Sequence, residues 1–303
     1  MDFAKVGIEK NDLQVIKLAA LYFIIAASGI LFSFEDIHAA ALLPAGGVGL
    51  AMMVLYGGYI WRSILVGSLL AFAFQFILSD GSLSWTNAVT SILLALVVTM
   101  EITLGHRLVL HFFDQNNLFK HAGKVFQFIG LAFIAGLFFA TAATVVLIIT
   151  GNLELPMLLT WLLWTMAETV GILLFTPFIL SWFREFKFAW SKTLTLEVVA
   201  FALVLVGLTV VSTVPYFTPV VWKSFPYLSV PLFLWLAFRF NLQISISGIL
   251  LVSLLAVMFT LNGVGPFVMT SSHHSLLMLQ VFIGVFSIST IVLTSTVTER
   301  REA

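Results

Sequence analysis

Short basic clusters interrupt an otherwise apolar chain at intervals, and their spacing decides how it can fold. Threading the apolar runs as ten helices puts thirteen of the fourteen Lys and Arg residues on one side of a membrane. Lys5, Lys10 and Lys17 lie in the N-terminal stretch, and Arg62 sits between the second and third runs. Arg107, Lys120 and Lys124 separate the fourth and fifth, and Arg184, Lys187 and Lys192 the sixth and seventh. Arg239 divides the eighth from the ninth, and Arg300 and Arg301 follow the tenth. Each of these connections is even-numbered or terminal; only Lys223 falls on the other side. Short loops rich in Lys and Arg are retained in the cytoplasm, so both termini are expected there. A wrong helix count would scatter the basic residues over both faces.

The composition leaves room for those helices. Charged residues are 9% of the chain and mean hydropathy is +1.11, against roughly 25% charged in soluble domains. A spanning helix needs about 20 mostly apolar residues. The expected fold is therefore all-α: a polytopic integral membrane bundle of about ten transmembrane helices. Their expected spans are 13–34, 42–60, 63–79, 85–106, 125–150, 156–182, 194–213, 225–239, 242–261 and 275–297. No long polar linker divides the chain, so 1–303 reads as one domain. The first run is too long for a cleavable signal peptide and lacks a small-residue cleavage site. A net charge of zero, with the basic residues already accounted for by topology, gives no sign of a nucleic-acid partner. The absence of Cys rules out disulfides and thiolate metal sites. The longest interruption, R-L-V-L-H-F-F-D-Q-N-N-L-F-K-H-A-G-K (Arg107–Lys124), has two readings: an amphipathic stretch on the inner leaflet, or a plain loop.

Ionisable residues in lipid are costly unless paired or facing a cavity, so each is a candidate site. Glu168 is the deepest, in W-L-L-W-T-M-A-E-T-V-G near the middle of the sixth run. Trp161, Trp164 and Gly171 stand at i−7, i−4 and i+3 from it, on one helical stripe. An acid, two indoles and a close-approach glycine on one face suit a ligand pocket; a protonated Glu acting as interhelical glue is the competing reading. Glu101 lies in the last third of the fourth run with Arg107 six residues on, and an interfacial ion pair is the plainer account of it. Gln75, Gln127, Glu197 and Gln280 are expected to bond across helices. Of the six His, His273 and His274 are adjacent rather than at the i, i+4 spacing of a helical metal site. No metal or other cofactor is expected. No Ser-His-Asp, P-loop or Rossmann signature is present, so no enzymatic activity is expected of these residues.

Pro and Gly are placed with more purpose. L-L-P-A-G-G-V-G-L (Leu42–Leu50) opens the second run with a helix-starting Pro and glycines that allow close helix contact. The eighth run carries its own Pro in Y-L-S-V-P-L-F-L-W (Tyr227–Trp235). The last external loop contains L-N-G-V-G-P-F (Leu261–Phe267).

In their order, four blocks resemble the membrane-associated sensor domains of bacterial signalling proteins, the first-described class of the MASE families. The first is L-L-P-A-G-G-V-G-L-A with Trp61, Arg62 and Gly67. The second is M-E-I-T-L-G-H-R (Met100–Arg107), and the third W-L-L-W-T-M-A-E-T-V-G-I-L-L-F-T-P (Trp161–Pro177). The fourth joins Phe225–Phe240, the N-G-V-G-P-F loop and L-L-M-L-Q-V-F (Leu276–Phe282). One departure stands out: where the family's third block reads Trp, two variable positions, then Gly-Asp, this chain has Ala167 and Glu168. The carboxyl survives, displaced by a methylene.

The resemblance implies a bacterial inner-membrane input module followed by a cytoplasmic output domain: a diguanylate cyclase, a phosphodiesterase or a histidine kinase. A chain ending V-T-E-R-R-E-A just after its last membrane helix is expected to be part of such a longer protein, acting as a homodimer. The expected ligand site is Glu168, Trp161, Trp164 and Gly171, with Glu101 and Arg239 contributing and Gln280 on the signalling helix. Its partners are membrane lipid, a small-molecule ligand of unknown identity and the output domain in cis. Two rival readings are a transporter-like module handling a proton, cation or small molecule, and a passive membrane anchor and dimerisation scaffold.

Overall fold

A computed structural model describes residues 12–29, 33–34, 39–113, 119–184, 192–213 and 227–302. Lys5, Lys10, Lys187, Lys223 and His38 lie outside the described residues. Ten α-helices occur among those described: α1 (Asp12–Ser28), α2 (Pro44–Tyr56), α3 (Trp61–Asp80), α4 (Trp85–Phe112) and α5 (Ala122–Thr150). They continue with α6 (Met157–Arg184), α7 (Lys192–Thr213), α8 (Val230–Arg239), α9 (Leu242–Leu261) and α10 (Ser272–Glu302). One departure from an all-α chain is a two-residue antiparallel ladder between α1 and α2, β1 (Ser33–Phe34) with β2 (Ala39–Ala40).

Six of these helices are long and apolar enough to cross a bilayer unaided: Gly58–Asp80, Trp85–Phe112, Ala122–Thr150, Met157–Phe183, Leu242–Leu261 and Ser272–Arg301. They make the chain a multi-pass membrane protein. Large apolar side chains such as Ile24, Ile134, Ile149 and Leu203 point outward, where only lipid leaves them without cost. Local sequence sets the helix starts. Ser84 and Asn241 cap α4 and α9 by accepting from the backbone N–H of Asn87 and Ile244, and Pro44 opens α2. Of the Arg107–Lys124 stretch, read as either an amphipathic segment or a plain loop, Arg107–Phe112 completes α4 and Ala122–Lys124 begins α5, while 114–118 lie outside the described residues.

The bundle centres on α6, which packs against α2, α5, α9 and α10. Its contact with α2 is the closest. A Cβ on Gly47 would strike the Gly171 carbonyl, and one on Gly171 would strike the Leu43 carbonyl. The Leu43 N–H donates to the Ala167 carbonyl at 3.4 Å, and the Thr176 hydroxyl to the Gly47 carbonyl at 2.8 Å. These pairs advance together, so α2 runs beside α6 in the same direction, starting about 15 Å below its first turn at 1.5 Å per residue. This corrects the expected second span of 42–60. The glycine-rich opening of α2 lies in the interior, and its 13 residues reach about 20 Å. The eighth helix is also short, 10 residues from Val230.

The two ends of the bundle differ in kind. At one, Asn87 donates to Asp80 at 2.6 Å and Asn152 to Thr90 at 2.8 Å, tying α3, α4 and the end of α5. At the other, Arg239 pairs with Glu197, Lys124 reaches the Phe112 carbonyl at 3.0 Å, and Arg301 donates to the Phe238 carbonyl at 2.9 Å. The basic residues that are described collect at this second end.

Candidate ligand-binding site

Because α2 starts deep, the half of the bundle above it is left open. That space is a cavity of about 1170 Å³, somewhat above the roughly 300–1,000 Å³ of small-molecule sites. Its walls come from α1, α3, α4, α5, α6 and the α9–α10 turn, and its floor is Tyr22, Gly46 and Glu168. Asn152 and the exposed Glu154, at the end away from the basic cluster, are among its lining residues.

Glu168 is 3% exposed. Its carboxyl lies against the first turn of α2, so closely that a Cβ on Gly46 would overlap it. The partial positive charge of a helix N-terminus favours a carboxylate there. Glu101, 2% exposed on α4, sits within interaction distance of Glu168, and Tyr22 feels both. Yet both Glu101 oxygens, Glu168 Oε1 and the Tyr22 hydroxyl reach no hydrogen-bond partner among the described residues. Buried polar atoms are nearly always satisfied; here the two carboxyls approach each other, an arrangement that a shared proton or a bound group would satisfy.

The expected site residues divide. Glu168 and Trp164 line the cavity, with Trp164 stacked on Phe139, ring centres 5.6 Å apart. Glu101 stands behind Glu168. It does not form the interfacial ion pair expected for it; it approaches an acid rather than a base. Trp161 turns away from the cavity and donates its indole N–H to Thr141 of α5 at 2.9 Å. Gly171 is occupied by the Leu43 backbone, so it serves helix contact rather than a ligand. Arg239 lies at the basic end with Glu197, 2.6 Å away through its Nε. Gln280 is fully buried but outside the cavity, donating to the Leu163 carbonyl at 3.2 Å and the Ala40 carbonyl at 3.3 Å. It thereby ties α10 to α6 and to β2.

Sequence reasoning assigned no site role to Tyr22, Gly46, Phe139 or Glu154. Tyr22 carried a readable signal, a hydroxyl in the middle of an apolar run. Glu154 carried none, being one acid in a short loop. Among the described residues, no three His, Asp or Glu come together as metal ligands.

No curated protein and no solved structure matches the chain. The model of the MASE1 family does, over residues 14–301. A bundle of apolar helices suits that family of membrane-associated sensory domains; the chain belongs to the MASE1 family.

Proposed function

We propose that this chain is the sensory input domain of a bacterial inner-membrane signalling protein, with both termini in the cytoplasm and its ten helices arranged across the bilayer. A small molecule entering the cavity from the outer face shifts α10. That shift biases a cytoplasmic output domain following residue 303 (a diguanylate cyclase, phosphodiesterase or histidine kinase), within a homodimer. The observation that carries this reading is the unsatisfied Glu168 carboxyl under a cavity facing away from the basic end. The positive-inside rule supports the orientation. Support for the relay comes from Gln280, which joins α10 to α6 one turn above Glu168 in the chain, at Leu163. A ligand acts only if it favours one arrangement of α10 over another.

The test is native mass spectrometry of the purified chain in mild detergent, followed by hydrogen exchange on α10. A small molecule carried by the wild type and lost in Glu168→Ala, whose removal alters exchange over Thr296–Arg301, supports the sensor. Equal masses, equal stability and equal exchange in both proteins would leave the passive anchor.

A second reading, passage of a solute or ion, is favoured by the interior start of α2, since interrupted helices build the binding sites of many transporters. Substrate uptake into proteoliposomes would establish it.

A further inference from the structure

Charge around the cavity is one-sided. Among the described residues, Glu154 and Glu168 are its charged lining residues, and no Lys, Arg or His lines it. Glu101 adds a second carboxyl behind Glu168. The first turn of α2 offsets part of the charge at Glu168 through the backbone dipole. Glu101 interacts with Glu168, an acid rather than a base, and the described Lys and Arg residues with assigned contacts are engaged at the far end. A carboxylate held away from water needs a countercharge, and of the two acids Glu168 is the one that lines the cavity. The wall above the acids is aromatic, with Trp164 and Phe139 stacked along it. Indole faces attract organic cations.

We infer that the cavity above α2 binds a small organic cation, an ammonium or guanidinium compound, whose charged head meets Glu168 with Glu101 behind it. This rests on the reading of the chain as a ligand sensor, and names the ligand class. A guanidinium would use two parallel hydrogen bonds to the Glu168 carboxylate; an ammonium would donate to Glu168, with the Glu101 carboxyl adding attraction from behind it. The acidic mouth would raise the local cation concentration and speed entry. An anion is disfavoured, because the one helix N-terminus facing the floor is already covered by Glu168.

The full chain in lipid nanodiscs is titrated calorimetrically with choline, butylguanidinium and phenethylammonium. Each is paired with a neutral analogue of the same shape: dimethylbutanol, butylurea and phenylethanol. At least one cation is expected to bind saturably, with its analogue about thirtyfold weaker or worse, as for loss of a buried charge partner. Glu168→Gln should weaken that cation by about the same factor, and Glu101→Gln in the same direction. Glu197→Gln, at the other end, should leave affinity unchanged. Should Glu168→Gln fail to fold, Glu101→Gln carries the comparison. The inference is overturned if no cation binds, if the neutral analogue binds equally, or if both cavity variants keep wild-type affinity. A neutral or anionic compound that binds and alters α10 exchange would overturn the cation while leaving the sensor standing. A cation that binds without altering α10 would do the reverse.

Discussion

The two ends of this bundle treat their charged groups in opposite ways. At the basic end, carboxylates meet partners: Glu197 with Arg239, and Glu299 with His121 and the Ala122 N–H. At the cavity floor, both Glu101 oxygens, Glu168 Oε1 and the Tyr22 hydroxyl meet no basic partner among the described residues. Water reaches the first set, so its pairs contribute little to stability and serve to position helices. Protein surrounds the second, so leaving it unsatisfied is costly, and the binding role proposed for it would offset that cost.

The sharpest way to break that comparison is at the seam between α2 and α6, which creates the cavity. Gly171→Leu would drive a side chain into the Leu43 backbone, which cannot move aside as a flexible side chain would. We expect a loss of about 3 kcal/mol or more, at the upper end for overpacking, seen as loss of monodisperse protein or a large fall in Tm. Trp164→Leu, two turns away on the same stripe, should fold, because its ring borders open space. If Gly171→Leu were tolerated, α2 would not be held where the cavity requires it.

The two tryptophans refine the same contrast. Trp164→Leu should weaken binding of the preferred cation by about tenfold, the scale of a desolvated cation–aromatic contact. Trp161→Leu should leave affinity near wild type, since its indole is committed to Thr141. Calorimetric titration of both variants separates them; equal losses would move the site toward α5.

What was legible from sequence follows from what periodicity and charge encode. The ends of α9 agree with the expected 242–261, and α3, α5 and α6 fall within a few residues, because apolar run length and flanking charge decide those helices. Depth is not encoded in that way. Leu42–Leu50 is as apolar as any spanning run, and only its contact with Ala167 and Gly171 places its start inside the bundle. The stripe rule correctly placed Trp161, Trp164, Glu168 and Gly171 on one side of α6. It could not divide a face some 80° wide among α5, the cavity and α2. Arg239 pairs with Glu197 and Gln280 bonds the Leu163 and Ala40 carbonyls, and neither lines the cavity. Glu101 looked interfacial from its place along α4, but α4 runs on to Phe112, which leaves Glu101 deeper than its sequence neighbours suggested.

Gln280 tests how the cavity end communicates. Gln280→Leu removes two hydrogen bonds, each worth about 0.6 kcal/mol between membrane helices, so a stability loss near 1 kcal/mol is expected. Its larger consequence should be on coupling: ligand binding should persist while the ligand-dependent change in α10 exchange shrinks. Preserved coupling would show that α6 and α10 communicate through apolar packing alone.

The smallest effect belongs to the basic end. Glu299 lies about half exposed in the last turns of α10 and reaches the N-terminus of α5, where it accepts from the Ala122 N–H at 3.1 Å and meets His121 at 3.3 Å. A carboxylate suits that position because the first backbone N–H groups of a helix lack partners and carry partial positive charge. Glu299→Gln keeps an acceptor but removes the charge, so Tm should scarcely move. The last turns of α10 should nevertheless exchange faster, because one of their ties to α5 is weakened while Ser295 still holds the Phe119 carbonyl at 2.6 Å. Salt gives the control. At about 1 M the screening length falls to roughly 3 Å, so wild type and variant should converge there and differ most in dilute buffer. A Tm loss as large as that of Gly171→Leu would mean that the basic end, too, stores stability in charge, and the contrast between the two ends would not hold.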